Sequence, residues 1–226
     1  MEKINIEKFN TLSQRQKKYA KTKTALLNAL LEELESKKLS EIMIKSLAQK
    51  AEVSEPTFFN YFDSKSDMLV YFIQMWSIEM QTIAIECEKE SISYVETIKN
   101  IFVKTATQIS EHPQIMREII AFQAQHDITK THKVSNAEKW FFFQEIEGVE
   151  GLEGLGLESI LPPLIAKAIE TGEIYSDMDA ELLFLMLSSL FFGTSLLVLK
   201  RIPEHLPMML ETELNLFFER ITYVKS

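Results

Sequence analysis

Four aromatic side chains fall within five positions, Phe58, Phe59, Tyr61 and Phe62. Polar groups suited to recognition are set around them: Ser54, Thr57 and Asn60, with Lys45 and Lys65 on either side. Hydroxyl, amide and ammonium groups at this spacing supply donors and acceptors, but no nucleophile with a base beside it. They suit contact with sugars, thymine methyls and phosphates. Elsewhere the chain has no Gly-rich phosphate loop, no nucleophile elbow and no carboxylate pair on a shared scaffold, so catalysis has no candidate residues and no cofactor is implied. His126 and Asp127 with His132 invite a metal reading. Their spacing fits no usual ligand signature and Thr and Lys surround them, so a solvated loop is expected and no metal site. His112, next to Pro113, and His205, between prolines, read as surface residues.

The elements that must hold this cluster are short. Between Ser54 and Asp63 there is room for about two helical turns, and isolated helices below ~12–15 residues are marginal in water. The segment therefore needs a partner. If Glu55 to Phe62 is helical, Phe58 and Phe62 are four apart and share a face. The preceding helix, Ile44–Ala51, offers Leu47, Ala48 and Ala51 to receive them, with Val53 filling the corner. Ser54 is a competent N-cap and Pro56 suits the first turn, where its missing N–H costs little. Thr57, Phe59, Asn60 and Tyr61 are left on the outward arc. Two short helices joined by a three- to four-residue turn form a helix-turn-helix, whose second helix enters the major groove of DNA.

The bulk numbers agree with a folded, helical protein. In 226 residues, 46% hydrophobic and 25% charged content argues against disorder, and the length allows one or two domains. The single cysteine, Cys87, excludes an internal disulfide framework and suits a reducing cytoplasm. The N-terminus has no apolar h-region and is not a signal peptide. Net charge is −9, unevenly divided: residues 1–65 hold 12 Lys/Arg against 9 Asp/Glu, the remainder 12 against 24. That asymmetry suggests that the N-terminal part meets a polyanion, with arm lysines Lys17, Lys18, Lys21 and Lys23 contributing.

Glycine and proline are scarce, six of each, and apolar residues recur at three- and four-residue steps. The pattern predicts nine or ten helices, no sheet, and an all-α fold. A stripe of Tyr19, Leu26, Leu27, Leu30, Leu31 and Leu34 runs from about Ser13 to Lys37. A long helix from Ser66, which can cap it, continues to about Glu90; others cover Ser93–Glu111, 114–125 and roughly 134–147. After a loop with four glycines (148–156), helices are expected over Leu157–Thr171 with Gly172 as its stop, from Asp177 or Asp179 to Leu199, and over about Met208–Tyr223.

At this point the stretch "IKSLAQKAEVSEPTFFNYFDSKSDML" (44–69) resembles the DNA-binding segment of the TetR family of bacterial transcriptional regulators, matching its second helix, recognition helix and following lysine in order and spacing. The resemblance implies an N-terminal three-helix DNA-binding domain over 1–65 and a helical effector-binding and dimerisation domain over 66–226. It places Lys45, Ser54, Thr57, Phe59, Asn60, Tyr61 and Lys65 at DNA, Lys65 on a backbone phosphate. Two positions depart from the family pattern. Glu52 stands where glycine is usual and a left-handed backbone is needed, and Met43 where Ser or Thr often caps. The function implied is a cytoplasmic repressor, a homodimer on a palindromic operator released by a small effector. Trp76, Met80, Phe102, Phe122 and Trp140 are candidates for an apolar or aromatic effector pocket, against the plainer reading as core. Residues 182–199 hold no charge over 18 positions, long enough to raise a membrane span. Interrupting Ser and Gly residues, and acidic residues at the start, favour a dimer interface instead, built from Leu185, Ser189, Gly193, Leu196, Leu214, Phe217 and Phe218. A helical carrier of hydrophobic molecules without DNA binding, and a helical enzyme with an unrecognised site, are the alternatives.

Overall fold

The computed structural model describes residues 4–125, 133–175 and 178–222. Among these residues there are eleven α-helices and no sheet: α1 (Ile4–Thr11), α2 (Gln14–Leu34), α3 (Ile44–Lys50), α4 (Glu55–Phe58), α5 (Lys65–Lys89), α6 (Tyr94–Glu111), α7 (Pro113–Gln123), α8 (Asn136–Phe142), α9 (Leu161–Glu170), α10 (Ala180–Val198) and α11 (Leu206–Ile221). His126, Asp127 and His132, and the possible helix ends Asp177 and Tyr223, lie outside the described residues. The chain divides into two compact units, Met1–Glu79 with Ala121–Leu155, and Met80–Ile120 with Gly156–Ser226.

In the first unit α2 begins at a reciprocal cap, Ser13 accepting from the Gln16 N–H while Gln16 accepts from the Ser13 N–H. Leu26, Leu27, Leu30 and Leu34 are fully buried, as the four-residue stripe requires; Tyr19 stays partly exposed. Glu33 joins α2 to α3: its carboxylate accepts from Ser46, and Lys37 and Lys50 lie against it. Helix α5 starts one residue earlier than the sequence suggests, because Ser64, not Ser66, receives the Asp67 N–H at 3.2 Å.

Helix α1 has no counterpart in the sequence reading. It exists because α8 gives it a surface. The Asn5 amide donates to the Phe143 and Ile146 carbonyls, its backbone N–H to Gln144, and Phe9 stacks on Phe141 at 5.2 Å between ring centres. Behind α8 the chain crosses α5 at Gly154, where a Cβ would stand 2.5 Å from the Gln74 carbonyl oxygen. Only glycine permits that approach.

In the second unit α11 lies along α6, and α9 packs on α6 and α10. Phe102 meets Phe191 edge-on at 5.2 Å, and the Thr105 hydroxyl donates to Met80 Sδ. Gly172, at φ +74°, ends α9 in the left-handed conformation expected of it. Asp179 caps α10 through the Leu182 N–H at 2.7 Å. One expectation is corrected here. Leu210, Leu214, Phe218 and Ile221 are buried within the chain, so Leu214 and Phe218 are not interface residues. The apolar face of α11 has its partner in α6.

Candidate nucleic-acid interface

Helix α4 is a single turn. Ser54 caps it, its Oγ accepting from the Thr57 N–H and lying 2.6 Å from the Thr57 hydroxyl. Pro56 sits in the first turn. The helical path then tightens: Asn60 and Tyr61 bond three residues back and Phe62 four back, to Phe58. The α-helix is therefore shorter than the Glu55–Phe62 span read from the sequence, though Phe58 and Phe62 still share a face. Both are buried, their rings 6.1 Å apart, with Phe62 on Tyr71.

The outward side carries Phe59, 52% exposed, with exposed Asn60 and the half-buried Thr57. Among the described residues, this open ring meets one other ring, Phe58, edge-on. Tyr61 departs from the expected arc. Its ring lies 5.0 Å from that of Tyr19 and it is half-buried. Lys45 is exposed on α3, and Met43 at the start of α3 is 68% exposed and makes no side-chain cap.

Two positively charged groups make contacts that the sequence did not point to. The Lys65 ammonium donates to the carbonyls of Leu39 (2.6 Å) and Ile42, closing the turn before α3. An ammonium has three donors, so these two carbonyls use two of the three. Lys23, grouped with the arm lysines by sequence, is withdrawn from solvent. It forms an ion pair with Glu138 of α8 at 2.8 Å, both side chains nearly inaccessible, and lies 4.1 Å from the centre of the Tyr71 ring. Burial, then the Glu138 charge, pushes the Tyr71 phenol well above its ordinary range. Lys17 donates to the Asn10 carbonyl, while Lys18 and Lys21 remain exposed.

Glu52 takes φ +56°, the left-handed backbone that a glycine would adopt more easily. The turn between α3 and α4 is thus formed as the helix-turn-helix pattern demands, with its strain retained.

The five proposed pocket residues are divided between the two units. Met80 and Phe102 are fully buried in the core of the second unit. Trp140 lies in the first unit, its indole N–H donating to Glu150 at 2.8 Å. Trp76 and Phe122 are half-buried, also in the first unit. Trp140 lines an open cleft of about 1240 Å³ with Arg15, Lys18, Tyr19, Asn60, Tyr61 and Lys133. Sequence reasoning missed this cleft, because its walls come from α2, the end of the recognition turn and the approach to α8.

No family model and no curated protein matches the sequence. Solved structures do match in fold. A TetR-family repressor from Thermus thermophilus, FadR in complex with lauroyl-CoA, superposes with a TM-score of 0.63 at 18% identity, over 90% of this chain and 97% of that one. FadR from Bacillus subtilis, in complex with stearoyl-CoA, gives 0.62 at 14% identity, over 86% and 96%. A TetR transcriptional regulator from Rhodococcus sp. RHA1 gives 0.56 at 18% identity, over 94% and 99%. The chain has the all-α fold of these regulators over nearly its whole length.

Proposed function

We propose that this chain, folded as the TetR-family regulators are, is a one-component transcriptional regulator that binds DNA as a homodimer and leaves it when a small apolar effector binds. The observation that carries the reading is the division of faces around α4. Phe58 and Phe62 are spent on the core, while Phe59 and Asn60 stand exposed next to Thr57 in the chain, and Lys45 is exposed on the preceding helix α3. A plain helical carrier has no reason to present an open phenylalanine and an amide on a one-turn helix set out by a strained turn. In the major groove each has a use: Thr57 and Asn60 at base edges, Phe59 against sugars or thymine methyls, Lys45 and the free proton of Lys65 at phosphates. Residues 1–65 read DNA and 66–226 bind effector and dimerise. The chain acts in the cytoplasm as a repressor on a palindromic operator, and performs no catalytic step.

The effector class follows from two supports. The sequence is rich in aromatic and methionine side chains between Trp76 and Phe143, and two regulators of the same fold hold acyl-CoAs. We infer an acyl-chain molecule as the first class to try. An effector shifts the equilibrium only as far as it distinguishes the DNA-bound and free states. The test is a gel shift of the full chain on DNA upstream of its own coding sequence, with acyl-CoAs of increasing length added. Retention of one fragment over scrambled DNA, and its release by an acyl-CoA, is the expected result. No preference for any fragment would overturn the regulator reading, and release by polar metabolites alone would overturn the effector class.

A further inference from the structure

The cleft beside α4 carries more positive charge than its surroundings neutralise. Arg15 and Lys18 stand on α2 and Lys133 on the approach to α8, all exposed, and among the described residues none is held in an ion pair. The other charged groups in the walls are satisfied internally. Lys139 donates to the carbonyls of Glu150 and Leu152, and Glu150, the one carboxylate among the described residues lining the cleft, accepts from Lys8 and Trp140. Hydrogen bonds from Lys8 and Trp140 hold that carboxylate down at about 2, so it stays ionised but engaged. Among the described residues, the cleft is left with three exposed positive groups without an ion pair, alongside Tyr19, Tyr61 and Trp140.

The cleft is also continuous with the proposed reading surface, because the exposed Asn60 lines it. We propose that it is a groove for the sugar–phosphate backbone of DNA beyond the bases read by α4, with Arg15, Lys18 and Lys133 on consecutive phosphates. This rests on the DNA-binding reading and extends it. A wall of the groove belongs to the segment 133–150, outside the helix-turn-helix, so that segment touches DNA directly. Small anions fit less well: the cleft is broad and open, and its free charges are spread over two walls of it. A polyanion threading past can meet all three at once.

The experiment uses full-length protein and a duplex that the wild type selects from a random pool, made in two lengths, one trimmed to the selected bases and one with about ten extra base pairs on each side. Affinity is followed against salt for wild type, Lys133→Gln and Lys45→Gln, with thermal melts as the folding control. Each phosphate contact contributes about 0.9 to the slope of log affinity against log salt. On the long duplex Lys133→Gln should reduce the slope by about one for each bound protomer, and on the trimmed duplex it should change nothing. Lys45→Gln should reduce the slope on both. An unchanged slope for Lys133→Gln on the long duplex, with Lys45→Gln still active, overturns the groove and leaves the regulator reading intact. A melt raised by benzoate or indole acetate in wild type and not in Lys133→Gln, with no change in slope, also overturns it, in favour of a small-anion site. Failure of wild type to select any duplex overturns the underlying reading and the groove together.

Discussion

At the scale of single residues, the proposed DNA-reading surface combines exposed groups with groups already committed to holding the turn. Thr57 shares its hydroxyl with Ser54, so its orientation is set within the turn itself. Thr57→Ala should relax preference at one operator position at a cost of roughly 1–3 kcal/mol, read on a panel of single-base variants. Lys65 binds two backbone carbonyls. Lys65→Ala should therefore lower the melting temperature as well as weaken all sequences about equally, whereas Lys45→Ala should weaken binding and leave the melt alone. If both lysine variants melt like wild type, the carbonyl bonds are not what Lys65 supplies. Glu52, at φ +56°, gives the opposite expectation: Glu52→Gly should stabilise by about 1 kcal/mol in urea titration, since a left-handed non-glycine costs roughly 1–2 kcal/mol and added freedom of the unfolded chain offsets part of the gain. The inward pair Phe58 and Phe62 and the strained Glu52 were legible because both depend on neighbours a few positions away. The roles of Lys65 and Lys23 were not, because Leu39, Ile42 and Glu138 are distant in sequence and nothing local points to them.

At the scale of elements, the first unit is fastened by polar links between helices. Glu33 ties α2 to α3, Glu150 ties α1 to the turn after α8, and the buried Lys23–Glu138 pair ties α2 to α8. Hydrogen bonds from Lys37 and then Lys50 hold the Glu33 carboxyl at about 2, and the bond from Lys8 holds Glu150 there too, against an ordinary 4.5. A carboxyl lowered on folding stabilises the fold above its unfolded value, and the contribution disappears as pH falls through the folded one. The melting temperature should thus drop between about pH 4.5 and 2, and Glu33→Gln should flatten part of that fall; an equally steep fall in the variant would sink the assignment. Glu138→Gln keeps an acceptor for the cap at Ser135 but leaves Lys23 buried without a counter-charge, a change worth about 3–5 kcal/mol. Replacing the pair together by Met and Leu should recover most of that loss, as a double-mutant cycle would show. The helices with strong three- and four-residue periodicity were legible to within a few residues. Helix α1 was not, since eight residues with mixed polarity become helical only against the Phe141–Ile146 segment, and that docking is tertiary.

At the scale of the whole molecule, what needs explaining is α10. Leu182, Leu185, Met186, Ser189, Gly193, Leu196 and Leu197 recur at steps of three and four, and all are exposed, Leu185 at 52% and Leu197 at 60%. Helix α5 is also long and apolar enough to cross a membrane, but it is largely buried, whereas most of α10 is not. A second copy of the chain accounts for this stripe better than lipid does. Leu183, Leu187, Phe191 and Val198 on the other side of α10 are buried in the chain's own core, so the helix is already half committed and could not be solvated by lipid all round. Among the described residues nothing stands within 4 Å of where a Gly193 Cβ would be. With the exposed Ser189, the glycine leaves a shallow strip where a second backbone can approach. Since α11 turns its main apolar face to α6, the dimer expected is formed by α10 with only the outer residues of α11, Met208 and Leu216, and Phe217 beside them. A two-fold axis here would set two reading turns about 34–36 Å apart or a small multiple of that, and the doubled positive groups would neutralise roughly 6–10 phosphates, so affinity should fall ~10³–10⁵ between about 50 and 200 mM salt. Gly193→Trp or Leu197→Glu should convert a detergent-free dimer to monomer in light scattering. Each should lose operator binding far more than Thr57→Ala does, while keeping the helical circular dichroism. Wild-type protein that is monomeric in solution, or found only in the membrane pellet, would defeat the dimer and with it the spacing argument.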